Sequence, residues 1–152
     1  MANTYTQLYF HLVFATKNRY RIKDNIFKES LNKYITGILK NKQHYLISIN
    51  FHINHIHILF SYNPNILLGE LVRIVKVETT KFINENKFII GQFYWQEGYS
   101  AFSVSRSQLD KVANYIKNQE KHHKEKTFKE EYLEFLKAYD IPYDKRYVLK
   151  DV

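Results

Sequence analysis

Within the stretch Asn54-His55-Ile56-His57-Ile58-Leu59-Phe60, two histidines stand one residue apart in an apolar run. Alternate side chains of a strand point to opposite faces, so His55 and His57 project together while Ile56, Ile58 and Phe60 point the other way. Two imidazoles side by side on a rigid element can turn ring nitrogens onto one divalent cation without bending the backbone. The plainer reading is a half-buried strand with two polar residues on its wet face. On that placement neither ring belongs to the core, and His57→Ala is expected to leave the fold standing. Far downstream, Tyr115 and Gln119 are four residues apart, about one helical turn, and therefore share a helix face. The absence of cysteine excludes disulfides, thiolate nucleophiles and cysteine-based zinc sites, so any metal is held by histidine and oxygen.

Those residues need a scaffold, and 152 residues at 45% hydrophobic content suffice for one core. We expect one domain over residues 1–152, with a core over about 4–123 and a helical extension over about 124–152. No apolar run approaches the roughly 18 residues of a membrane span, and the first twenty residues lack a signal-peptide pattern, so a cytoplasmic protein without membrane contact is expected. Lys and Arg number 23 against 15 Asp and Glu, a formal charge of +8. A basic surplus with 13 tyrosines and 11 phenylalanines suits a polyanion whose unpaired bases can stack, so nucleic acid is the expected partner. The alternative is a lysine-rich composition whose cations are merely solvated.

Residues 4–14 alternate, with Leu8, Phe10, Leu12 and Phe14 on one face and Gln7, Tyr9, His11 and Val13 on the other, which predicts a first strand. A basic loop with tyrosine among its cations follows over 16–23. Asp24 caps a predicted helix to about Lys42, carrying Phe27, Leu31, Tyr34/Ile35 and Ile38. Tyr45, Ile47, Ile49 and Phe51 alternate in a second strand, joined to the His-x-His strand by a hairpin in which His52 reads as a turn residue. A helix is predicted over about 65–84, with Leu68, Leu71, Val75 and Phe82 buried and Arg73, Lys76 and Thr80 opposite. Residues 88–96 and 99–104 read as further strands. The order β-α-β-β-α-β is that of an α+β, ferredoxin-like split βαβ antiparallel sheet with its helices on one face. Ser107 with Asp110 signals a helix whose stripe is Leu109, Val112, Ala113 and Ile116, with Tyr115 at its edge. Thr127 with Glu130 signals a last helix, whose Phe128, Tyr132, Phe135, Leu136 and Tyr139 need a surface to cover. Residues 142–152 read as a tail.

Four segments together resemble a family. They are Leu12-Val13-Phe14-Ala15-Thr16-Lys17-Asn18-Arg19; His55-Ile56-His57; Phe93-Tyr94-Trp95-Gln96-Glu97-Gly98-Tyr99-Ser100-Ala101-Phe102-Ser103-Val104-Ser105; and Val112-Ala113-Asn114-Tyr115-Ile116-Lys117-Asn118-Gln119-Glu120-Lys121-His122-His123. In order and spacing they are similar to the small single-tyrosine HUH transposases of insertion sequences that move as single-stranded DNA, the REP-associated tyrosine transposases among them. The resemblance implies a nucleophilic Tyr115 on a C-terminal helix and a Mg²⁺ or Mn²⁺ ion on His55, His57 and Gln119. It also implies single-stranded DNA with hairpin ends as substrate, and a homodimer in which the Tyr115 helix of one chain can serve the histidines of the other, although the connection from His57 to Tyr115 permits either a cis or a trans partner. The family often carries Asp before the first histidine; here Asn54 stands, which puts a carboxylate contact to the site in doubt.

On this reading the metal neutralises a phosphate oxygen and Tyr115 attacks phosphorus, joining the 5′ phosphate and leaving a free 3′-OH. Ligand softness alone would also admit Zn²⁺. Lys17, Arg19 and Lys76 are the expected DNA contacts, and His122 and His123 are left out of the site. Rivals are a noncatalytic or domesticated hairpin-binding protein of the same fold, and a phosphoesterase built on paired His-x-Thr/Ser motifs, for which the second motif is missing.

Overall fold

The computed structural model describes residues 4–119 and 127–138. The expected tail over 142–152, Tyr139 and the His122-His123 doublet lie outside the described residues. The elements run β1 (Tyr9–Ala15), α1 (Asn25–Asn41), β2 (Tyr45–His52), β3 (His55–Ser61), α2 (Leu68–Glu85), β4 (Ser100–Val104), α3 (Leu109–Lys117) and α4 (Phe128–Ala138). The strands form one antiparallel sheet in the order β2-β3-β1-β4, the order of the expected ferredoxin-like sheet.

The strand alternation sorts the core into two layers. Leu12, Phe14, Ile56, Ile58, Phe60 and Phe51 point to one face, where Phe27, Leu31, Ile35 and Leu39 of α1 and Leu71, Val72, Val75 and Ile83 of α2 pack against them. Asp24 fixes the start of α1, its carboxylate accepting from the backbone N–H groups of Ile26 and Phe27. The opposite face is also covered, by α3 and α4. Val13, Ala15 and Phe102 pack with Phe128 and Leu136, while Leu59 and Val104 pack with Ile116. Helices therefore lie on both faces, because the His-x-His face carries apolar Val13, Leu59 and Phe102 that must also leave water.

Several expected boundaries shift. Residues 4–8 do not join β1, and α2 begins at Leu68. In β2 the register slips between Leu46 and Ser48, so Ile47 turns to the α3 side instead of sharing a face with Ile49 and Phe51. His52 is a strand residue opposite His55, not a turn residue. Ser107 does not cap α3: the chain enters through a short 3₁₀ turn over Arg106–Gln108, and Ser107 bonds Ser105 instead.

The expected strand over 88–96 is absent. Ile90 stands 96% exposed and Gly91 takes φ +83°, so the chain turns outward there before Phe93 and Trp95 tuck back into the core. The Asn84 side chain accepts from Phe93 N at 2.7 Å and donates to Phe93 O at 3.3 Å, filling the place of a neighbouring strand. Only a single bridge, Thr16 to Trp95, touches the sheet.

Candidate active site

The antiparallel register brings Val13 opposite His57 and Ala15 opposite His55, so both imidazoles rise from a central strand over small or apolar neighbours. They do not face water. His55 and His57 are fully buried, as is Gln119, because α3 and α4 close over them. The expected wet face is a buried polar pocket, and its groups have to be paired.

His55 donates from Nδ1 to Asn54 Oδ1 at 2.8 Å, while its Nε2 lies 3.1 Å from Gln119 Oε1. The Asn54 amide oxygen thus supplies the orienting contact that a carboxylate would give, without its charge. His57 Nδ1 lies 2.7 Å from His11 Nε2, and its Nε2 lies 3.0 Å from Glu131 Oε1. Glu131, on the first turn of α4, also accepts from the Tyr115 hydroxyl through Oε2. The Phe128 ring stacks on His55 at 3.9 Å, and Phe135 meets both Tyr115 and His57. Thr127 caps α4, accepting from Glu130 N–H, and so fixes the turn that carries Glu131.

α3 is held down by polar contacts as well as by Ile116. Asn50 Nδ2 donates to Ile116 O at 2.8 Å and Ser48 Oγ to Ala113 O at 3.3 Å, an arrangement that depends on the β2 bulge turning Ser48 toward the helix. Tyr115 sits on this helix with its ring edge-on to His57 at 6.0 Å. Gln119 lies just past the C-cap Asn118, and its amide nitrogen reaches back to Tyr115 O at 3.5 Å. The structure therefore brings His55, His57, Tyr115 and Gln119 together within one chain; sharing between chains is not needed to assemble them.

Burial first, and the negative charge of Glu131 second, push the Tyr115 phenol well above its ordinary range, so it is held protonated. Burial, reinforced by His57 and opposed by Glu131, drives His11 well below its ordinary value and keeps it neutral. Ligand-capable atoms of His55, His57 and Glu131 all lie within 4.8 Å of one another. Two imidazole nitrogens with amide and carboxylate oxygens form a donor set that a divalent cation accepts, so the residues fit the expected metal. A cleft of about 530 Å³ opens beside this cluster, lined by His11, Ser103, Gln108, Lys111, Tyr115 and Phe135.

Sequence reasoning missed His11 and Glu131. Each carried a signal: His11 alternates onto the same strand face as Val13, and Glu131 interrupts the apolar stripe of Phe128, Tyr132 and Phe135. The three expected DNA contacts lie elsewhere. Lys17 is exposed with its ammonium 5.4 Å over the Tyr94 ring, and Arg19 lies in a tight turn with φ +52°. Lys76 is turned inward, donating to Gln96 O at 2.9 Å and Gly98 O at 2.7 Å. It forms part of a groove of about 590 Å³ with Arg73, Lys81, Tyr94 and Tyr99.

Two solved structures share the fold. A candidate transposase from Deinococcus radiodurans R1 is 20% identical with a TM-score of 0.56, covering 78% of this chain and 95% of its own. A REP-associated tyrosine transposase bound to a REP hairpin is 11% identical with a TM-score of 0.56, covering 81% of this chain and 73% of its own. No curated protein matches in sequence. The family model described as "Transposase IS200 like" matches residues 4–119, the span that contains the histidine pair, Tyr115 and Gln119, and the chain belongs to that IS200-like transposase family.

Proposed function

We propose that this transposase cleaves and rejoins single-stranded DNA next to hairpins, using Tyr115 as nucleophile and a Mg²⁺ or Mn²⁺ ion held by His55, His57 and Gln119. The observation that carries the reading is the meeting of Tyr115, both histidines and Gln119 at one point in a chain of this family. A cation bound there would offset negative charge on the scissile phosphate. Asn54 and His11 hold the two imidazoles in orientation, and the cleft lined by Ser103, Gln108 and Lys111 gives a nucleotide a place beside Tyr115.

In the reaction, an electron pair of the Tyr115 oxygen forms a bond to phosphorus as the bond to the 3′ oxygen breaks. The 3′ oxygen leaves with a proton as a free 3′-OH, and the phenol proton passes to solvent. The resulting 5′-phosphotyrosine conserves a bond that a second 3′-OH can attack, which suits strand transfer. Because Tyr115 is held as the phenol against Glu131, this step requires the hydroxyl to part from that carboxylate. Lys17 and Arg19 contact backbone phosphate, and the groove bounded by Arg73, Lys81, Tyr94 and Tyr99 receives unpaired bases. The REP hairpin held by the similar structure supports a hairpin as ligand. We take a homodimer as the assembly, each protomer with a complete site.

The test is adduct formation with single-stranded DNA carrying hairpins from the regions flanking the gene, in Mg²⁺ or Mn²⁺. A denaturation-stable covalent product is expected from the wild type and none from Tyr115→Phe, with hairpin binding kept. An adduct that persists in the Phe variant would place the nucleophile elsewhere.

A further inference from the structure

Asn54 Oδ1 can only accept, so His55 commits its Nδ1–H there and turns an Nε2 lone pair inward. In the tautomer that donates Nδ1–H to His11, His57 does the same. Gln119 directs its amide nitrogen at Tyr115 O and therefore its oxygen at His55. Glu131 adds Oε1, 3.0 Å from His57 Nε2 and 3.8 Å from His55 Nε2. Two nitrogens and two oxygens, all acceptors in that state, then converge inside a pocket where the Glu131 side chain is 5% exposed and those of both histidines are not exposed at all. Such a convergence of nitrogen and oxygen donors in a low dielectric suits a cation among the atoms.

We propose that Glu131 is itself a metal ligand, its Oε1 completing a four-residue set with His55, His57 and Gln119 while its Oε2 keeps the Tyr115 hydroxyl. The proposal rests on the metal assignment under the proposed function and adds to it a ligand from α4. Metal bonds of about 2.0–2.2 Å place neighbouring ligand atoms roughly 3 Å apart. The His57–Glu131 pair already has that spacing, and the His55–Glu131 pair needs to close by less than an ångström. Charge points the same way. Two neutral imidazoles and an amide leave a buried dication uncompensated, whereas the carboxylate cancels half of its charge. The metal and the tyrosine proton are thereby connected through the two oxygens of one side chain.

The test uses the full chain and Mn²⁺ alone, with free Mn²⁺ read by electron paramagnetic resonance and the folded state by the Mn²⁺-induced shift in Tm. Glu131→Gln is expected to weaken Mn²⁺ binding roughly tenfold to a hundredfold and to lose most of the Tm shift. Glu134→Gln removes the same charge from an exposed position on the same helix and is expected to bind as the wild type does. His57→Ala should bind least. If Glu131→Gln binds Mn²⁺ like the wild type while His57→Ala does not, Glu131 is no ligand and only the original three-residue assignment survives. Equal weakening by both Glu variants means charge alone acts, and the proposal is overturned. If His57→Ala also binds like the wild type, the metal assignment falls together with the proposal. Should Glu131→Gln lack a cooperative transition, Glu131→Asp decides: its carboxylate stops one methylene short, so weaker binding is expected and wild-type affinity overturns the proposal.

Discussion

The ring nitrogens of His57 lie 2.7 Å from His11 Nε2 and 3.0 Å from Glu131 Oε1, and its face is closed by Phe135 and Tyr115. A histidine in that position contributes to the fold. His57→Ala opens a void and strands a buried nitrogen of His11, so we expect a loss of about 1–3 kcal/mol in unfolding free energy, read from the urea midpoint at unchanged m-value. An unmoved midpoint would return the ring to the role of a dispensable polar group. What the sequence displayed at this scale was parity. One-residue spacing placed His55 and His57 on one face, and one-turn spacing placed Tyr115 with Gln119. It could not display partners across elements, because those depend on strand register and on which helix lands on which strand. His11 meets His57 only through the β1–β3 pairing, and Glu131 reaches the site only because α4 docks there. The doubt that Asn54 raised about a carboxylate contact is answered by its amide oxygen, which orients His55 without a charge.

Among the elements, α1 was the most legible, since an Asp cap and a 3.6-residue stripe agree with each other and with the structure. β3 was equally plain. The segment 88–96 misled because its apolar residues satisfy a strand pattern although the backbone of Phe93 is paired by the Asn84 side chain and a single bridge at Trp95 reaches the sheet, and a periodicity argument is blind to that exchange. Asn84 is the residue on which this segment hangs. Asn84→Ala leaves the N–H and C=O of Phe93 without that pairing, and we expect a cost of about 1–3 kcal/mol. The same variant should exchange the Phe93 amide hydrogen faster, while the amides of β1 and β3 stay protected. Unchanged exchange at Phe93 would mean the loop is held by its packed rings instead. The β2 bulge at Ile47 was likewise invisible, because an inserted residue preserves composition while reversing the face of everything beyond it.

For the whole molecule, the sheet order and the core packed beneath α1 and α2 followed from the order of the elements, but the covering of the second sheet face did not, since nothing in the pattern said where α3 and α4 would settle. That settlement brings the tyrosine and the histidines of one chain together. The groups meet inside one chain, and we take that cis arrangement as the one to test against the trans arrangement implied by the resemblance. A heterodimer of one His55→Ala/His57→Ala chain with one Tyr115→Phe chain is expected to bind hairpin DNA and to form no more covalent product than the two parental homodimers. Restored cleavage in the mixture would show that the tyrosine helix crosses between chains.

One property of α4 reaches beyond the resting geometry. With the histidine pair wholly enclosed beneath Phe128 and Phe135, no phosphodiester can arrive while that helix is seated. Capture of a strand is therefore two events in series, a unimolecular departure of the helix and a bimolecular encounter. For the strand cleavage proposed above, a departure slower than the chemistry is expected to show itself as a rate that levels off with rising DNA concentration, at a ceiling that belongs to the last helix and not to the phosphorus.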